Sequence, residues 1–217
     1  MKNLSINVFL ISLIVLASCQ KGSIQLNEDL DYNTFTDTRD GQVYHSIKIG
    51  EQIWMAENLR YHYSSGNNSH ELIYCEYGRM YLSGRVKYCP DGWHIPDSLE
   101  WQMLIDYLGG AKIAGGKLKE AGNSHWNNPN EGATNISGFT ALPAGYSRSM
   151  TGLIERNKTA QFWSSTINPD EDNIYGNSYY YISLSSATRE ITSHYSFDDV
   201  DEDYELRSIR CVKDSSH

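Results

Sequence analysis

Apolar and polar positions in the first third of the domain alternate over short runs, which is the pattern of half-buried strands. Phe35 and Thr36 lead into the turn Arg39-Asp40-Gly41-Gln42, and Val43 to Ile49 follows with Ile47 and Ile49 flanking Lys48. The Asp-Gly pair is a strong hairpin signal. Gly50-Glu51-Gln52 turns again into Ile53-Trp54-Met55-Ala56, and His62 to His70 is a polar Ser/Gly/Asn loop. The period then changes. Trp101, Leu104, Ile105 and Leu108 stand at i, i+3, i+4 and i+7, and this stripe predicts a helix over Ser98 to Leu108. Asp97 is its candidate N-cap, Glu100 three residues on completes a capping box, and Gly109-Gly110 ends it. A second, shorter helix is expected over Met80 to Tyr88. From Gly138 the pattern returns to strands: Phe139–Pro143, Gln161–Ser164, Tyr179–Leu184, Arg189–Thr192 and Leu206–Val212. No fixed repeat is visible. The fold class expected is α+β, one or two helices followed by an antiparallel sheet.

The N-terminus follows a different logic. Lys2 precedes an apolar stretch, Leu4 to Leu16, that is shorter than the roughly 20 residues a spanning helix needs. It ends in Leu16-Ala17-Ser18-Cys19, which resembles the bacterial lipobox, where the chain is cut before a Cys whose thiol carries lipid. Residues 1–18 are therefore expected to be a lipoprotein signal peptide, 19–33 a tether and 34–214 the folded domain. Cleavage would leave 217 − 18 = 199 residues and, with Lys2 removed, a charge of 17 − 27 = −10. The resemblance to bacterial lipoproteins, whose sorting depends on the residue after the acylated Cys, implies outer-membrane placement, since Gln20 and not Asp follows Cys19. The expected address is the cell envelope, lipid-anchored, on its periplasmic or surface face, with the membrane as a partner through the anchor.

Composition narrows the partners. With 18 Lys plus Arg against 27 Asp plus Glu, the net charge is −9, and no basic face for phosphates is visible. Nucleic acid is thereby excluded. Sixteen Tyr against 5 Trp and 5 Phe describe a β-rich, exposed protein. If Cys19 carries lipid, then Cys75, Cys89 and Cys211 remain, and three single bridges are open. Closing a loop of roughly 120 residues is worth about 4–5 kcal/mol by chain entropy, which favours Cys89–Cys211 over the local Cys75–Cys89.

Six segments, in order, carry a resemblance. They are Tyr44-His45-Ser46-Ile47-Lys48-Ile49-Gly50-Glu51-Gln52-Ile53-Trp54-Met55-Ala56-Glu57-Asn58-Leu59; Tyr77-Gly78-Arg79-Met80-Tyr81; and Cys89-Pro90-Asp91-Gly92-Trp93-His94-Ile95-Pro96 with Glu100-Trp101. Gly138-Phe139-Thr140-Ala141-Leu142-Pro143-Ala144-Gly145-Tyr146, Phe162-Trp163-Ser164-Ser165-Thr166 and Ser208-Ile209-Arg210-Cys211-Val212-Lys213-Asp214 complete the set. Together they resemble the Fibrobacter succinogenes major paralogous domain over roughly residues 34 to 214. The resemblance implies secreted or lipid-anchored surface proteins with no assigned catalysis. It also implies a C-type lectin-like fold whose last strand returns beside the first, and it supports the Cys89–Cys211 disulfide. Cys75 is left an orphan.

These motifs read as structural. Trp54, Trp93, Trp101 and Trp163 are expected in a common core, His94 as a buried hydrogen-bonding side chain, and Arg210 as an ion-pair partner. No catalytic residue is assigned: the chain has no Gly-x-Ser-x-Gly elbow, no Cys-x-x-Cys or His-Glu-x-x-His and no phosphate loop. A concave pocket holding two or more ionisable groups in hydrogen-bond reach would reopen catalysis. No cofactor is expected apart from calcium, for which Asp170, Asp172, Asp198, Asp199, Asp201 and Asp203 are weak candidates in two acidic runs. Those runs, the second including Glu202 and Glu205, read more simply as solvated loops. Trp126-Asn127-Asn128-Pro129-Asn130-Glu131 is a loose echo of a calcium-dependent lectin motif. The function expected is a non-enzymatic, lipid-anchored surface protein that binds a glycan or an envelope protein through the lectin-like domain. A structural envelope protein with no small ligand is the alternative.

Overall fold

The structure, a computed structural model, describes residues 24–62, 72–74, 77–83, 88–148, 152–169, 178–197 and 205–215. In chain order the elements are β1 (Asn33–Thr36), β2 (Val43–Ile49), β3 (Gln52–Met55), β4 (Leu72–Tyr74), β5 (Gly78–Tyr81), β6 (Trp93–His94), α1 (Ser98–Tyr107) and α2 (Ala111–Leu118). There follow β7 (Tyr146–Arg148), β8 (Leu153–Ile154), β9 (Thr159–Ile167), β10 (Ser178–Ser185), β11 (Ile191–Phe197), β12 (Glu205–Ser208) and β13 (Val212–Lys213). The α+β class holds.

Two sheets form. The smaller has the order β1-β2-β3-β13-β6, and the larger runs β11-β10-β9-β12-β5-β4 with β7 and β8 attached at β12. Pairing is antiparallel except where β12 meets β9 in parallel at Ser208 and Phe162. The predicted N-terminal hairpins are present. β1 and β2 close around residues 37–42, and β2 and β3 turn through Gly50-Glu51, with Ile49 opposite Gln52. Gly50 sits at φ 61°, and a Cβ there would come within 3.0 Å of the Tyr107 ring, so both backbone and packing call for glycine. Asp97 caps α1 as expected: its carboxylate accepts from the Glu100 amide, and Glu100 reaches back to the Asp97 amide.

Five expectations fail for identifiable reasons. Met80 and Tyr81 lie in β5, paired with Ser208 and Arg207, and not in a helix. The second helix is instead α2, whose Gly115-Gly116 reads locally as a loop. Those glycines allow the helix to touch backbone, because a Cβ on Gly115 would stand 2.4 Å from the Glu190 carbonyl oxygen and one on Gly116 2.3 Å from that of Gly132. Phe139–Pro143 makes one bridge, Ala141 to Lys119, and no strand. Thr140 there has φ 52° and is held by the Asn135 side chain. The run Leu206–Val212 divides into β12 and β13 in different sheets. Its middle crosses alongside residues 55–59, where Met55 N donates to Cys211 O and Leu59 N to Ile209 O. The last strand accordingly returns between β3 and β6 and not beside β1. Arg189 and Glu190 precede β11, so that strand begins later than the sequence pattern suggests.

The core is three clusters. The largest joins Ile47, Ile49 and Trp54 to Trp101, Leu104 and Ile105 of α1, Leu118 of α2 and Phe162, Ile182 and Leu184 of the large sheet. Leu26, Leu30 and Tyr32, within the segment read as tether, pack against it. A second cluster gathers Tyr44, Met55, Leu59, Tyr81 and Trp163 around Cys89 and Cys211. These cysteines form a disulfide between residues 122 apart in sequence. The third cluster contains Tyr77, Met80, Leu142 and Leu206. The four tryptophans are thus divided: Trp54 and Trp101 in the first cluster, Trp163 in the second, and Trp93 packed half-buried against the second.

Candidate functional site

Strand periodicity builds the first candidate surface. Along β10, Ile182 and Leu184 point into the core, so Tyr179, Tyr181 and Ser183 face the other way and are half-buried. The register sets Tyr181 between Trp163 of β9 and His194 of β11, and Ser183 between Gln161 and Thr192. His194 and Thr192 are exposed. Beneath these rings lies Arg207 of β12, only 2% exposed, its guanidinium carbon 3.7 Å from the Tyr181 ring centre and 4.3 Å from that of Trp163. Its Nε donates to Gln161 Oε1 at 2.8 Å and its Nη2 to Glu205, whereas Nη1 and the hydroxyls of Ser147 and Ser178 have no hydrogen-bond partner among the described residues. Glu205 also accepts from the Ser196 hydroxyl and from Arg148 at 3.1 Å. Burial alone would raise the Glu205 carboxyl, but Arg207, Ser196 and Arg148 outweigh it and hold the group below its usual range. Glu205 is therefore a buried partner of Arg207 and not part of a solvated acidic loop.

The described residues that bracket the two acidic runs meet at one end of this sheet: Asn168 N donates to Ser178 O, and Ser178 is paired with Phe197. Asp170, Asp172, Asp198, Asp199, Asp201 and Asp203 themselves lie outside the described residues. Among the described residues no group of three or more His, Cys, Asp or Glu is placed to hold a metal.

A second surface centres on His94. It is not buried: its side chain is 36% exposed and bridges two carboxylates, with Nδ1 2.6 Å from Asp214 Oδ1 and Nε2 2.8 Å from Glu100 Oε1. The Glu100 hydrogen bond chiefly, opposed by burial and aided by Asp214, raises the imidazole to about 9. At neutral pH both ring nitrogens are consequently protonated donors. Glu100 and Asp214 also border a cleft of about 310 Å³ lined by Glu51, Gln52, Ile53, Val212 and Lys213. Beside this cleft one histidine bridges two of its bordering carboxylates, but with a proton on each ring nitrogen it has no free lone pair to act as a base.

The remaining singled-out residues are structural. Arg210 is fully buried, and its hydrogen bonds go to amide oxygens and not to a carboxylate: Nη2 to Asn58 Oδ1 at 2.6 Å, Nη1 to Met55 O at 3.2 Å and to Phe139 O. Burial lowers it to about 9, with Glu57 acting through space in the opposite direction. The expected ion pair is therefore replaced by a cage of carbonyls. Trp126 is buried and donates to Ala141 O, so its segment offers no exposed sugar platform. Lys119, which no sequence signal marks, is buried with Nζ donating to the carbonyls of Glu131, Ser185 and Thr188 at 2.8–2.9 Å. Burial lowers its ammonium to about 8. Cys19 and Cys75 lie outside the described residues.

Fold and surfaces together define an α+β domain of two sheets with one disulfide ahead of β6 and β13, an aromatic sheet face and an acidic cleft. The chain belongs to the Fibrobacter succinogenes major domain family, whose profile matches residues 47–213. No curated protein and no solved structure matches it.

Proposed function

We propose that this protein is a non-enzymatic, lipid-anchored surface lipoprotein whose domain has a C-type lectin-like fold and binds glycan on the outer face of β9–β10–β11. One observation carries the reading: the half-buried rings of Tyr179 and Tyr181, with exposed His194 beside them, over a polar layer of Arg207, Gln161 and Glu205. Sugars present apolar C–H faces that stack on such rings and hydroxyls that need convergent polar partners. The doubly engaged His94 imidazolium supports the non-enzymatic part. The anchor rests on Leu16-Ala17-Ser18-Cys19, and outer-membrane placement on Gln20.

A glycan array probed with the soluble domain, with and without calcium, tests the binding. Expected are hits that Tyr181→Ala weakens at least tenfold while the thermal midpoint stays within a few degrees. An array with no hits, or hits indifferent to Tyr181, would leave a structural envelope protein as the better description. Calcium-dependent hits would bring the acidic runs into the site. For the anchor, Cys19→Ala protein is expected to leave the membrane fraction; its retention there would refute lipidation.

A further inference from the structure

α1 has two apolar faces. Trp101, Leu104 and Ile105 fill the core, and on the opposite side Leu99, Met103 and Tyr107 recur every four residues at 72%, 54% and 65% exposure. A helix that only closes a core shows a polar outer face, so a solvent-facing Leu-Met-Tyr row calls for a partner. The row runs beside the His94 cleft. Tyr107 packs on Gly50 of the β2–β3 turn, and the Gln52 side chain at the start of β3 donates to Glu100 O at 3.1 Å. Apolar stripe and cleft form one continuous surface.

The charge on that surface is mostly acidic, with His94, Lys48 and Lys213 as its cations. The only charged residues of α1 are Glu100 and Asp106, its N-cap is Asp97, and the cleft adds Glu51 and Asp214 against Lys213. Glu51 is 88% exposed, with Lys48 3.6 Å away as its neighbour. A second copy docked on the stripe would set these carboxylates against their own equivalents, in a chain of net charge −9. We infer that the α1–cleft surface docks a basic amphipathic segment of another protein, one carrying Lys or Arg about one helical turn from a Leu-, Ile- or Phe-type side chain. The apolar side chains would cover Leu99, Met103 and Tyr107, and the cation would enter the cleft toward Glu51, beside the Asp214 carboxylate that His94 already engages through Oδ1. This surface is separate from the Tyr181 face and stands or falls without the glycan reading.

The test is a random dodecapeptide phage library panned on the purified protein, with binding of selected peptides measured at two salt concentrations. Enriched sequences are expected to pair a basic with a large apolar residue at helical spacing. Their binding should weaken with salt and fall at least tenfold in both Met103→Asp and Glu51→Lys, exposed positions at which circular dichroism should match the parent. Tyr181→Ala should leave it unchanged. No enrichment, enriched peptides without Lys or Arg, or binding that survives both substitutions overturns the proposal. So does a dimer, seen by sedimentation, that Met103→Asp dissolves, because the stripe would then belong to a second copy.

Discussion

Two cations in this molecule are stabilised in opposite ways, and both follow from what surrounds the side chain. His94 gains carboxylates on both nitrogens and is raised to about 9, whereas burial lowers Lys119 to about 8 against the opposing charge of Glu131. The consequences for stability have opposite signs. His94 binds its proton more tightly folded than unfolded, so its contribution is complete below about 6.5 and disappears as pH rises through about 9. Lys119 binds its proton less tightly folded, so between about 8 and 10.5 its contribution makes stability rise with pH. Urea unfolding of the parent and His94→Gln at several pH values separates the two. With solvent screening of a side chain more than a third exposed, the variant should be less stable by about 1 kcal/mol at pH 6 and equal to the parent near pH 10. A constant difference across that range would mean that His94 acts through packing and not charge. The latch was only half legible in the sequence. Glu100 is six residues from His94, in the capping box of the helix that follows it, but Asp214 is 120 residues away and is delivered by the strand that precedes it.

Among the elements, the strongest local patterns match the structure, and most of the misreadings fall where a distant neighbour decides the conformation. The α1 capping box, the alternation in β2 and the run in β10 involve residues within one turn or one strand, and the structure agrees with each. The break between β12 and β13 has no such signal, because the chain between them is placed by hydrogen bonds to Leu59 and Met55, residues far earlier in the chain. α2 was hidden by its own glycines. Its helix is set by close approach to the carbonyls at Arg189, Glu190 and Gly132, which the sequence does not reveal. A sharp prediction follows. Gly→Ala in a helix interior ordinarily stabilises by about 1 kcal/mol. Gly115→Ala should instead destabilise by about 2 kcal/mol, because its Cβ would meet backbone that cannot yield as a side-chain end can. Chemical denaturation measures it. A stabilised Gly115→Ala protein would show that α2 can slide away from the Glu190 carbonyl without loss.

Across the whole molecule the C-terminal segment joins what the rest of the chain leaves apart. β12 lies between β9 and β5 in the large sheet, β13 between β3 and β6 in the small one, and Cys211 between them is bonded to Cys89 just ahead of β6. Arg210 in the same crossing binds carbonyls of residues 55 and 139, so the junction is fastened by a disulfide and a buried guanidinium at adjacent positions. The polar fastening opposes no unfolded-state entropy, but the covalent one does: it closes a loop spanning 122 residues. By chain entropy that is worth about 4–5 kcal/mol. A domain of this size moves its thermal midpoint about 2–4 °C per kcal/mol, so Cys89→Ser/Cys211→Ser should melt about 10–15 °C lower than the parent. Hydrogen exchange locates the effect. The Asp214 amide, which donates to Gly92 O at 2.9 Å, should lose protection in the double variant, while the β10–β11 hairpin keeps it. A midpoint unchanged by the substitutions would mean that Arg210 and the strand pairings hold the two sheets together unaided. Uniform loss of protection would mean that the two sheets unfold as one unit and the junction is not their weakest seam.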